Sequence, residues 1–247
     1  MSWQPPLTFE EKLKKALIPP SLYIRYLYAK QLASGEPELK LIPYLANKAR
    51  VSLDIGAHKG TYSFALLKHS QAVHSFEPNP KMFDVLESWA RGRVTLHPSA
   101  LSNRSGEADL LVPKRRNGYS NQGSSLSAIK VHGDHGTVRV HADRLDDCGI
   151  DNVGFIKIDV EGFESEVLDG GKKLLLRDRP NLLVEMEEKH TKIPLKDMVA
   201  SVCAYGYRCL VLQGGSMLAF ERFDVGKFHT NPQSKKTYVF NFIFLPV

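Results

Sequence analysis

The order of apolar and polar positions after Val51 predicts an alternation of strands and helices. Short apolar runs, bounded by turn residues, predict buried strands, and the segments between them have the spacing of amphipathic helices. The predicted strands are VSLDI, AVHSFEP, VTLHPSAL, GFIKIDV and NLLVEME, and the predicted helices are TYSFALLKH, PKMFDVLESWAR, ESEVLDGGKKLLL and PLKDMVASVCAYG. Repeated strand–helix units indicate an α/β fold with a mainly parallel sheet and helices on both faces.

The pattern changes at the C-terminal end. The runs YRCLVLQ, SMLAFER and TYVFNFIFL have no helix between them, and Gly214-Gly215 separates the first two. We therefore expect an antiparallel strand at this end of the sheet. A further strand, GEADLLVP, is followed by a polar loop from Lys114 to about Ser127, which we interpret as a flexible lid over the ligand pocket. A surface loop without that function is the alternative.

Residues 1–48 are predicted to form an N-terminal helical extension, and residues 49–247 the main domain. Phe9, Leu13 and Leu17 lie on one face of a first helix, which ends before Pro19 and Pro20. A second helix is predicted to begin at a Ser21 cap and end at Gly35, with its apolar register formed by Leu22, Tyr23, Tyr26 and Leu27. We expect it to pack on its own domain; a partner-binding or membrane-surface helix is the alternative.

Composition narrows the class of protein without identifying it. The 247 residues carry a net charge of +6, which suits an anionic partner but does not specify one. The cysteines, Cys148, Cys203 and Cys209, have no zinc or disulfide spacing, which favours a reducing compartment. The N-terminal segment lacks the apolar core of a signal peptide, and no run approaches the roughly 20 apolar residues of a membrane span. We expect a cytoplasmic protein without a transmembrane segment.

The turn after the first strand is the first candidate for a ligand site. It reads Asp54-Ile55-Gly56-Ala57-His58-Lys59-Gly60, and its glycines allow the backbone to turn sharply and approach a ligand. Its spacing differs from the G-x-G-x-x-G of dinucleotide sites. Asp54 would repel a pyrophosphate and attract an ammonium group, and Thr61 is predicted to cap the helix that follows.

A second acidic residue lies where the next strand ends. Glu77 comes roughly 20 residues beyond the turn, the position from which an acidic side chain bonds ribose hydroxyls in nucleoside-binding sheets. A nucleoside with a cationic tail therefore fits both acidic residues. S-adenosylmethionine is such a molecule, because it joins an adenosine to an amino-acid end through a sulfonium that carries a methyl group.

With these residues the chain resembles the class I methyltransferases and, among them, the FkbM-type enzymes. The matching stretches are LDIGAHKGTYS, FEPNP, ALS, FIKIDVEGFESEVLDGG and LLVEMEEKH, in that order. The resemblance implies a Rossmann-like sheet of seven strands with an antiparallel last strand and S-adenosylmethionine as methyl donor. It also implies an oxygen acceptor, usually a hydroxyl of a sugar or secondary metabolite.

The resemblance also implies roles for individual residues. The turn, with Asp54, Gly56, Ala57, His58 and Gly60, would lie along the methionine part of the cofactor. Glu77 would bond the ribose, Pro78 and Asn79 would lie near the adenine, and Ser99 and Ala100 would border it. Asp159 would face the amino-acid end of the cofactor or the acceptor. Residues 114–154 and those before Val51 match less clearly, and we expect acceptor choice to be determined there.

A sugar hydroxyl needs a base that takes its proton, and the predicted carboxyl ends of two strands offer candidates. Asp159 and Glu161 follow the fourth strand, and Glu185 and His190 follow the fifth. Residues two apart in a strand point to the same side, so both acids of the first pair could face the pocket. Alternatively, Glu161 caps the next helix. Asp159, Glu185 and His190 could also hold a divalent metal ion. That spacing is not diagnostic, and the prediction is a site without metal.

Other partners and functions follow less directly from the residues. His132 and His135 could line the acceptor site, although a surface loop fits them better. An RNA methyltransferase is the second functional hypothesis, but the sequence has no recognisable RNA-binding module, and the NPPY motif of amino-directed base methylases is missing. A cofactor-binding module without catalysis is the third. A DNA partner is not expected, and the sequence predicts no oligomeric state.

Overall fold

The computed structural model describes residues 3–115, 118–131, 133–234 and 237–247. The helices are α1 (Phe9–Leu17), α2 (Pro20–Ser34), α3 (Ile42–Leu45), α4 (Thr61–Leu66), α5 (Pro80–Ala90), α6 (Glu164–Gly170), α7 (Lys172–Asp178), α8 (Glu188–Thr191) and α9 (Leu195–Cys203). Short 3₁₀ segments lie at Pro37–Leu41, Asn121–Gly123, Leu145–Asp147 and Phe220–Arg222, and a π-helical turn lies at Gly226–Thr230.

The strands form two sheets. They are β1 (Val51–Ile55), β2 (Ala72–Phe76), β3 (Thr95–His97), β4 (Ser99–Leu101), β5 (Gly106–Arg115), β6 (Gly118–Tyr119), β7 (His135–Asp143), β8 (Val153–Ile158), β9 (Asn181–Glu185), β10 (Tyr207–Gln213), β11 (Ser216–Ala219) and β12 (Asn241–Pro246). The main sheet has the order β11-β10-β12-β9-β8-β1-β2-β3, and the smaller sheet has the order β4-β7-β5-β6. The structure therefore confirms the α/β prediction.

The pairing in the main sheet explains where the ligand site lies. Strands β3, β2, β1, β8 and β9 run parallel, whereas β12 is antiparallel to both β9 and β10. The predicted antiparallel C-terminal strand is thus confirmed. Since the carboxyl ends of parallel strands share one edge, the loops after β1, β2, β8 and β9 all meet at the same edge of the sheet.

Two apolar layers hold this sheet between helices. One cluster combines strand residues such as Ile156 and Phe242 with residues of α6, α7 and α9. The other combines Phe155 and Ile243 with α2, α4 and α5. Because the central strands are covered on both faces, they are rich in apolar residues, and every residue of β8, Lys157 included, is buried.

The second helix packs on the domain, as expected, but through a different face. Ile24 is fully buried, and Tyr28 meets Phe64 of α4 edge-on at 5.3 Å between ring centroids. Leu22 and Tyr26, predicted to belong to the packing face, are 55% and 60% exposed. The predicted Ser21 cap is also wrong, because the helix starts one residue earlier, at Pro20. A proline at the first helical position has the required φ and gives up an N–H that would have no partner there.

Three other elements differ from the predictions. The single strand expected in VTLHPSAL is two strands, β3 and β4, which belong to different sheets. They separate at Pro98, which cannot donate a ladder hydrogen bond. The helix expected in ESEVLDGGKKLLL is broken between α6 and α7 at Gly170-Gly171, and a side chain at Gly170 would overlap the backbone of Ser102.

Strand β7 was missed altogether. Its signal was present, because Val138, Val140 and Ala142 alternate with polar residues and are all buried. It pairs with β4 and β5 to form the smaller sheet.

Candidate active site

A cavity of about 810 Å³ lies at the carboxyl edge of the main sheet. This volume is in the range of small-molecule sites. Residues following β1, β2, β8 and β9 line it, together with residues of α2, the smaller sheet and the segment before β12. We call the part near β1 and β2 the nucleoside end, and the part near β8 and β9 the acidic end.

The glycine turn forms the wall of the nucleoside end. Gly56 has φ 80°, and a Cβ there would overlap the carbonyl oxygen of Asp159. The N–H groups of Gly56 and Ala57 both donate to the carbonyl oxygen of Phe76, at 3.0 Å. The turn therefore fixes the ends of β1, β2 and β8 against one another, which requires glycine at this position.

The other residues of the turn differ in what they contact. Ala57 and His58 line the cavity, as does Thr61. Gly60 does not, among the described residues: a side chain there would overlap Leu86 and Trp89 instead. The predicted cap is wrong, because Thr61 is the first residue of α4 and makes no capping bond, while the preceding Gly60 has φ 84°.

Asp54 both accepts hydrogen bonds at the start of α4 and lines the cavity. Its Oδ2 accepts a hydrogen bond from the N–H of Ser63 at 2.8 Å and another from the Ser63 hydroxyl, so it satisfies the start of α4 from the neighbouring strand. Burial raises the pKa of Asp54 to about 6, and the bonds from Ser63 oppose that rise. Asp54 also lines the cavity, with Oδ1 as the oxygen not used by Ser63.

Glu77 is buried beside the turn with both oxygens held by backbone donors. Oε2 accepts the N–H of His58 at 2.6 Å, and Oε1 accepts the N–H of Asn79 at 2.8 Å. Each carboxylate oxygen can accept two hydrogen bonds, so a ligand hydroxyl can still donate to either one. Burial raises the pKa of Glu77 to about 7, against the effect of these two bonds.

Of the remaining residues predicted for the nucleoside end, three line the cavity and one does not. Pro78, Ser99 and Ala100 line the cavity. Asn79 does not, within the described part of the chain; its Oδ1 caps α5 through the N–H of Lys81, and its Nδ2 donates to Asn121 at 3.2 Å. Ser99 and Ala100 belong to β4 of the smaller sheet rather than to the end of the third strand of the main sheet.

The polar loop contributes to the cavity rim. Asn121 and Ser124 line the cavity and accept hydrogen bonds from Asn79, and the Ser125 hydroxyl donates to the carbonyl oxygen of Glu161 at 2.7 Å. The loop thus joins the two ends of the cavity; its movement as a lid stays a prediction. Arg116 and His132 lie outside the described residues. His135 begins β7 and is exposed, away from the cavity.

At the acidic end, Asp159 and Glu161 both line the cavity, but not by strand alternation. Strand β8 ends at Ile158, and Glu161 has a left-handed backbone with φ 61°. Glu161 does not cap the next helix. Glu164 makes the local bonds there, since its Oε1 accepts the N–H of Gly162 at 2.9 Å. The capping alternative is therefore wrong.

The Glu161 carboxylate has two cationic or titratable neighbours. It contacts the ammonium of Lys130, and its Oε2 lies 3.7 Å from His190 Nδ1. Glu187 Oε1 lies 3.5 Å from the same nitrogen. Burial lowers the pKa of His190 to about 4 and that of Lys130 to about 8. Around neutral pH the imidazole is therefore uncharged, and the lysine is mostly cationic.

The possible metal ligands differ from the predicted set. Glu161, Glu185 and His190 place one ligand atom each within 4.8 Å of one another, whereas Asp159 is replaced by Glu161 in this group. The Lys130 ammonium already contacts Glu161. Burial and the neighbouring Asp159 raise the pKa of Glu185 well above its usual range. A site without metal stays the prediction.

Sequence reasoning missed several cavity residues. They are Leu27, Lys30, Gln31, Glu36, Lys157, Glu187, Lys189, Tyr238 and Phe240 at the lining, and Lys130 behind Glu161. Strand alternation could have found Lys157, two residues before Asp159, and Glu187, two residues after Glu185 in the predicted strand NLLVEME. Lys157 is fully buried and lies 3.7 Å from Asp159.

A parallel sheet with an antiparallel strand inserted beside its last parallel strand, and acidic residues at the ends of β1 and β2, defines the Rossmann-like methyltransferase class. The sequence also matches the FkbM methyltransferase domain over residues 54–209. This chain belongs to the FkbM methyltransferase family.

Individual relatives agree with that assignment. The chain is 28% identical over 172 residues to the 2-O-methyltransferase NoeI of Sinorhizobium fredii (strain NBRC 101917 / NGR234), covering 61% of this chain and 69% of NoeI. The crystal structure of methyltransferase FkbM from Methylobacillus flagellatus KT matches with a TM-score of 0.52 at 16% identity, which shows the shared fold. That match covers 80% of this chain and 44% of the other chain, so this chain spans less than half of its length. Among the described residues, the helices are too short or too polar to span a bilayer.

Proposed function

We propose that this protein is an S-adenosylmethionine-dependent O-methyltransferase whose acceptor is a hydroxyl of a saccharide or other small metabolite. The observation that carries the proposal is the Glu77 carboxylate, buried at the cavity wall with both oxygens fixed by the backbone N–H groups of His58 and Asn79. Such a carboxylate is preorganised to accept hydrogen bonds from a pair of ribose hydroxyls.

The rest of the nucleoside end fits the same cofactor. Gly56 keeps the turn close to the end of β8 and lines the cavity, and Asp54 supplies a carboxylate oxygen for the ammonium of the methionine part. Lys30 and Gln31 of α2 also line the cavity and offer donors for a ligand carboxylate. When bound, S-adenosylmethionine would supply the methyl group: as the acceptor oxygen bonds the methyl carbon, the carbon–sulfur bond would break and S-adenosylhomocysteine would leave.

At the acidic end, this chain would hold the acceptor and remove its proton. Glu161 lines the cavity and is the proposed base, taking the hydroxyl proton onto its carboxylate as the new oxygen–carbon bond forms. Lys130 and His190 orient that carboxylate from behind. Asp159 lies 3.7 Å from the Lys157 ammonium and Glu161 contacts the Lys130 ammonium, so the charges at this end are paired, which suits a neutral acceptor.

Two observations support oxygen as the acceptor atom and a small molecule as the acceptor. The relative NoeI is a 2-O-methyltransferase by name. The cavity volume of about 810 Å³ is in the range of small-molecule sites. We keep RNA and a non-catalytic cofactor-binding module as outcomes that the experiment can return.

The test is titration calorimetry with S-adenosylhomocysteine followed by transfer of a labelled methyl group. We expect the wild-type protein to bind S-adenosylhomocysteine, and Glu77→Gln to weaken binding roughly 10- to 100-fold through loss of charge-assisted hydrogen bonds. Glu221→Gln, at an exposed site outside the cavity lining, is the matched control. Unchanged affinity in both variants would exclude the proposed ribose contact.

The acceptor arm uses methyl glycosides, glycerol and total RNA with labelled S-adenosylmethionine. Label in a glycoside that survives mild alkali identifies an ether, because methyl esters hydrolyse under these conditions. Label confined to RNA would contradict the proposed acceptor class. Binding without transfer to any acceptor in an enlarged panel of hydroxyl compounds would favour the non-catalytic module.

A further inference from the structure

One wall of the acidic end comes from a part of the chain outside the family match. Tyr238 and Phe240 precede β12, lie beyond residues 54–209, and line the cavity with Glu187 and Lys189. The match to the family therefore does not account for the two aromatic side chains at the acidic end of the cavity.

These side chains form one connected group. The Tyr238 hydroxyl donates to Glu187, the Lys189 ammonium contacts the same carboxylate, and this ammonium lies 5.0 Å from the centre of the Tyr238 ring. The rings of Tyr238 and Phe240 are 5.6 Å apart and inclined by 41°. The group thus presents two aromatic rings, with a carboxylate at the Tyr238 hydroxyl and an ammonium over the Tyr238 ring.

The backbone beneath the rings is fixed on both sides. The Phe240 carbonyl oxygen accepts the N–H of Met186 at 2.8 Å, and the Val239 N–H donates to the carbonyl oxygen of Phe228 at 2.9 Å. His229, which is buried, is bonded through Nδ1 to the Val239 carbonyl at 2.7 Å. The aromatic wall is therefore part of a rigid support, as a preorganised binding surface requires.

The chemistry of this group matches one class of molecule. A sugar ring has C–H surfaces that pack on aromatic carbon and hydroxyls that bond to carboxylate and ammonium groups. The charges beside it are paired, Glu161 with Lys130 and Glu187 with Lys189, so the site carries no excess positive charge that would attract a phosphate-bearing or acidic ligand. An aliphatic chain would leave the Glu187–Lys189 pair desolvated without new partners, at a cost.

We propose that Tyr238, Phe240, Glu187 and Lys189 form the subsite that holds a neutral sugar ring of the acceptor beside Glu161. This inference rests on the proposed function, because it names the substrate class for the same cavity. It assigns acceptor recognition to the segment before β12, outside the region shared with the family.

The experiment combines direct binding with turnover. Saturation-transfer NMR with methyl α-D-mannopyranoside, methyl β-D-glucopyranoside and methyl α-L-rhamnopyranoside reports binding without any methyl transfer. We expect at least one glycoside to bind the wild-type protein. Tyr238→Ala should weaken its binding, or raise its KM, about 10-fold or more, since it removes both ring packing and a buried aromatic contact. Its S-adenosylhomocysteine affinity should stay within about threefold.

Two further variants separate recognition from folding. Tyr238→Phe keeps the ring and removes only the hydroxyl, so it should retain most glycoside affinity, and Tyr44→Ala removes a ring that is 83% exposed and serves as the matched control. Thermal melting identifies any variant that fails to fold. If Tyr238→Ala does not fold, Phe240→Leu takes its place with the same expectation.

The outcomes distinguish this inference from the proposed function. Absence of S-adenosylhomocysteine binding by the wild-type protein refutes the proposed function, whatever the glycosides do. Cofactor binding with no glycoside binding, or glycoside binding that Tyr238→Ala and Phe240→Leu leave unchanged, overturns the sugar subsite alone. Transfer only to RNA or to a long-chain alcohol, with these variants unaffected, overturns it as well.

Discussion

The two ends of the cavity are built in different ways. The nucleoside end comes mostly from one stretch of chain, residues 54–79, in which two strand ends and one turn supply nearly all of the contacts. The acidic end joins Lys130, Glu161, His190 and Tyr238, which are far apart in the chain. A local motif thus fixes the first end, whereas the second depends on how distant segments pack.

The carboxylates at the two ends of the cavity also differ in the kind of group that holds them. At the nucleoside end, the Glu77 carboxylate is held by two backbone N–H groups, and the Asp54 carboxylate by the N–H and the hydroxyl of Ser63. At the acidic end, carboxylates are paired with the side chains of Lys130 and Lys189, which substitution can remove. Under the proposed function, cofactor binding would depend mainly on groups positioned by the backbone, and acceptor choice on replaceable side chains.

The substitution with the largest expected effect tests whether the residues that act in methyl transfer lie only at the acidic end. Glu161→Gln removes the proposed base and should lower kcat roughly 10²- to 10⁴-fold. The affinity for S-adenosylhomocysteine should change by less than about threefold, because Glu161 makes none of the contacts at the nucleoside end. Single-turnover transfer of labelled methyl and calorimetry measure the two quantities.

Glu166→Gln, a nearby acid on α6 outside the cavity lining, is the control for Glu161→Gln. Loss of cofactor affinity in the Glu161 variant would show that the two ends are not independent. Unchanged kcat in Glu161→Gln, with a large loss in His190→Ala, would transfer the role of base to the imidazole.

The residues of the nucleoside end could largely be predicted from the sequence, whereas several residues of the acidic end could not. Asp54, Gly56 and Glu77 were predictable because strand ends adjacent in the sheet are also close in the chain, and the turn between them has a recognisable spacing. Lys130 and Tyr238 were not, because no local pattern shows that Lys130 reaches Glu161 or that the segment before β12 lies beside the end of β9. Their proximity depends on the tertiary fold.

The same reasoning applies to the fold. The parallel core and the antiparallel ending were predicted from periodicity. The smaller sheet was not, since it depends on β4 leaving the main sheet at Pro98 and on pairing with β7, a strand that lies more than thirty residues later in the sequence.

The next prediction tests whether the nucleoside end depends on the backbone conformation of the glycine turn. Gly56→Ala should destabilise the protein by about 3 kcal/mol or more, because positive φ costs an alanine roughly 1–2 kcal/mol and its Cβ would also overlap the Asp159 carbonyl. Cofactor binding should be lost with it. Denaturant unfolding and calorimetry provide the measurements.

Gly92→Ala is the matched control for the glycine turn. Gly92 also has positive φ, at 75°, but a Cβ there meets no atom within 4 Å among the described residues, so only the conformational cost of about 1–2 kcal/mol is expected. Equal destabilisation of both variants would show that the contact between the turn and β8 does not matter.

The smallest effect uses pH to separate the two ends. The pKa of Glu77 is about 7 because of its burial, and the ionised form is the better acceptor for ribose hydroxyls. If binding needs that form, about a tenth of the sites are competent at pH 6, so Kd for S-adenosylhomocysteine should be about tenfold higher at pH 6 than at pH 8. Affinity thus rises as pH increases through 7 and then levels off. His190 does not contribute in this interval, since burial lowers its pKa to about 4.

Calorimetry of Glu77→Gln over the same pH range identifies the group responsible. The variant should bind weakly and without this pH dependence, because its amide does not titrate. If the slope persists in Glu77→Gln, another group controls it, and Asp54, whose pKa burial raises to about 6, is the neighbouring carboxyl to test next. A slope centred near 6 would then shift recognition from the ribose to the ammonium of the ligand, while keeping it at the nucleoside end.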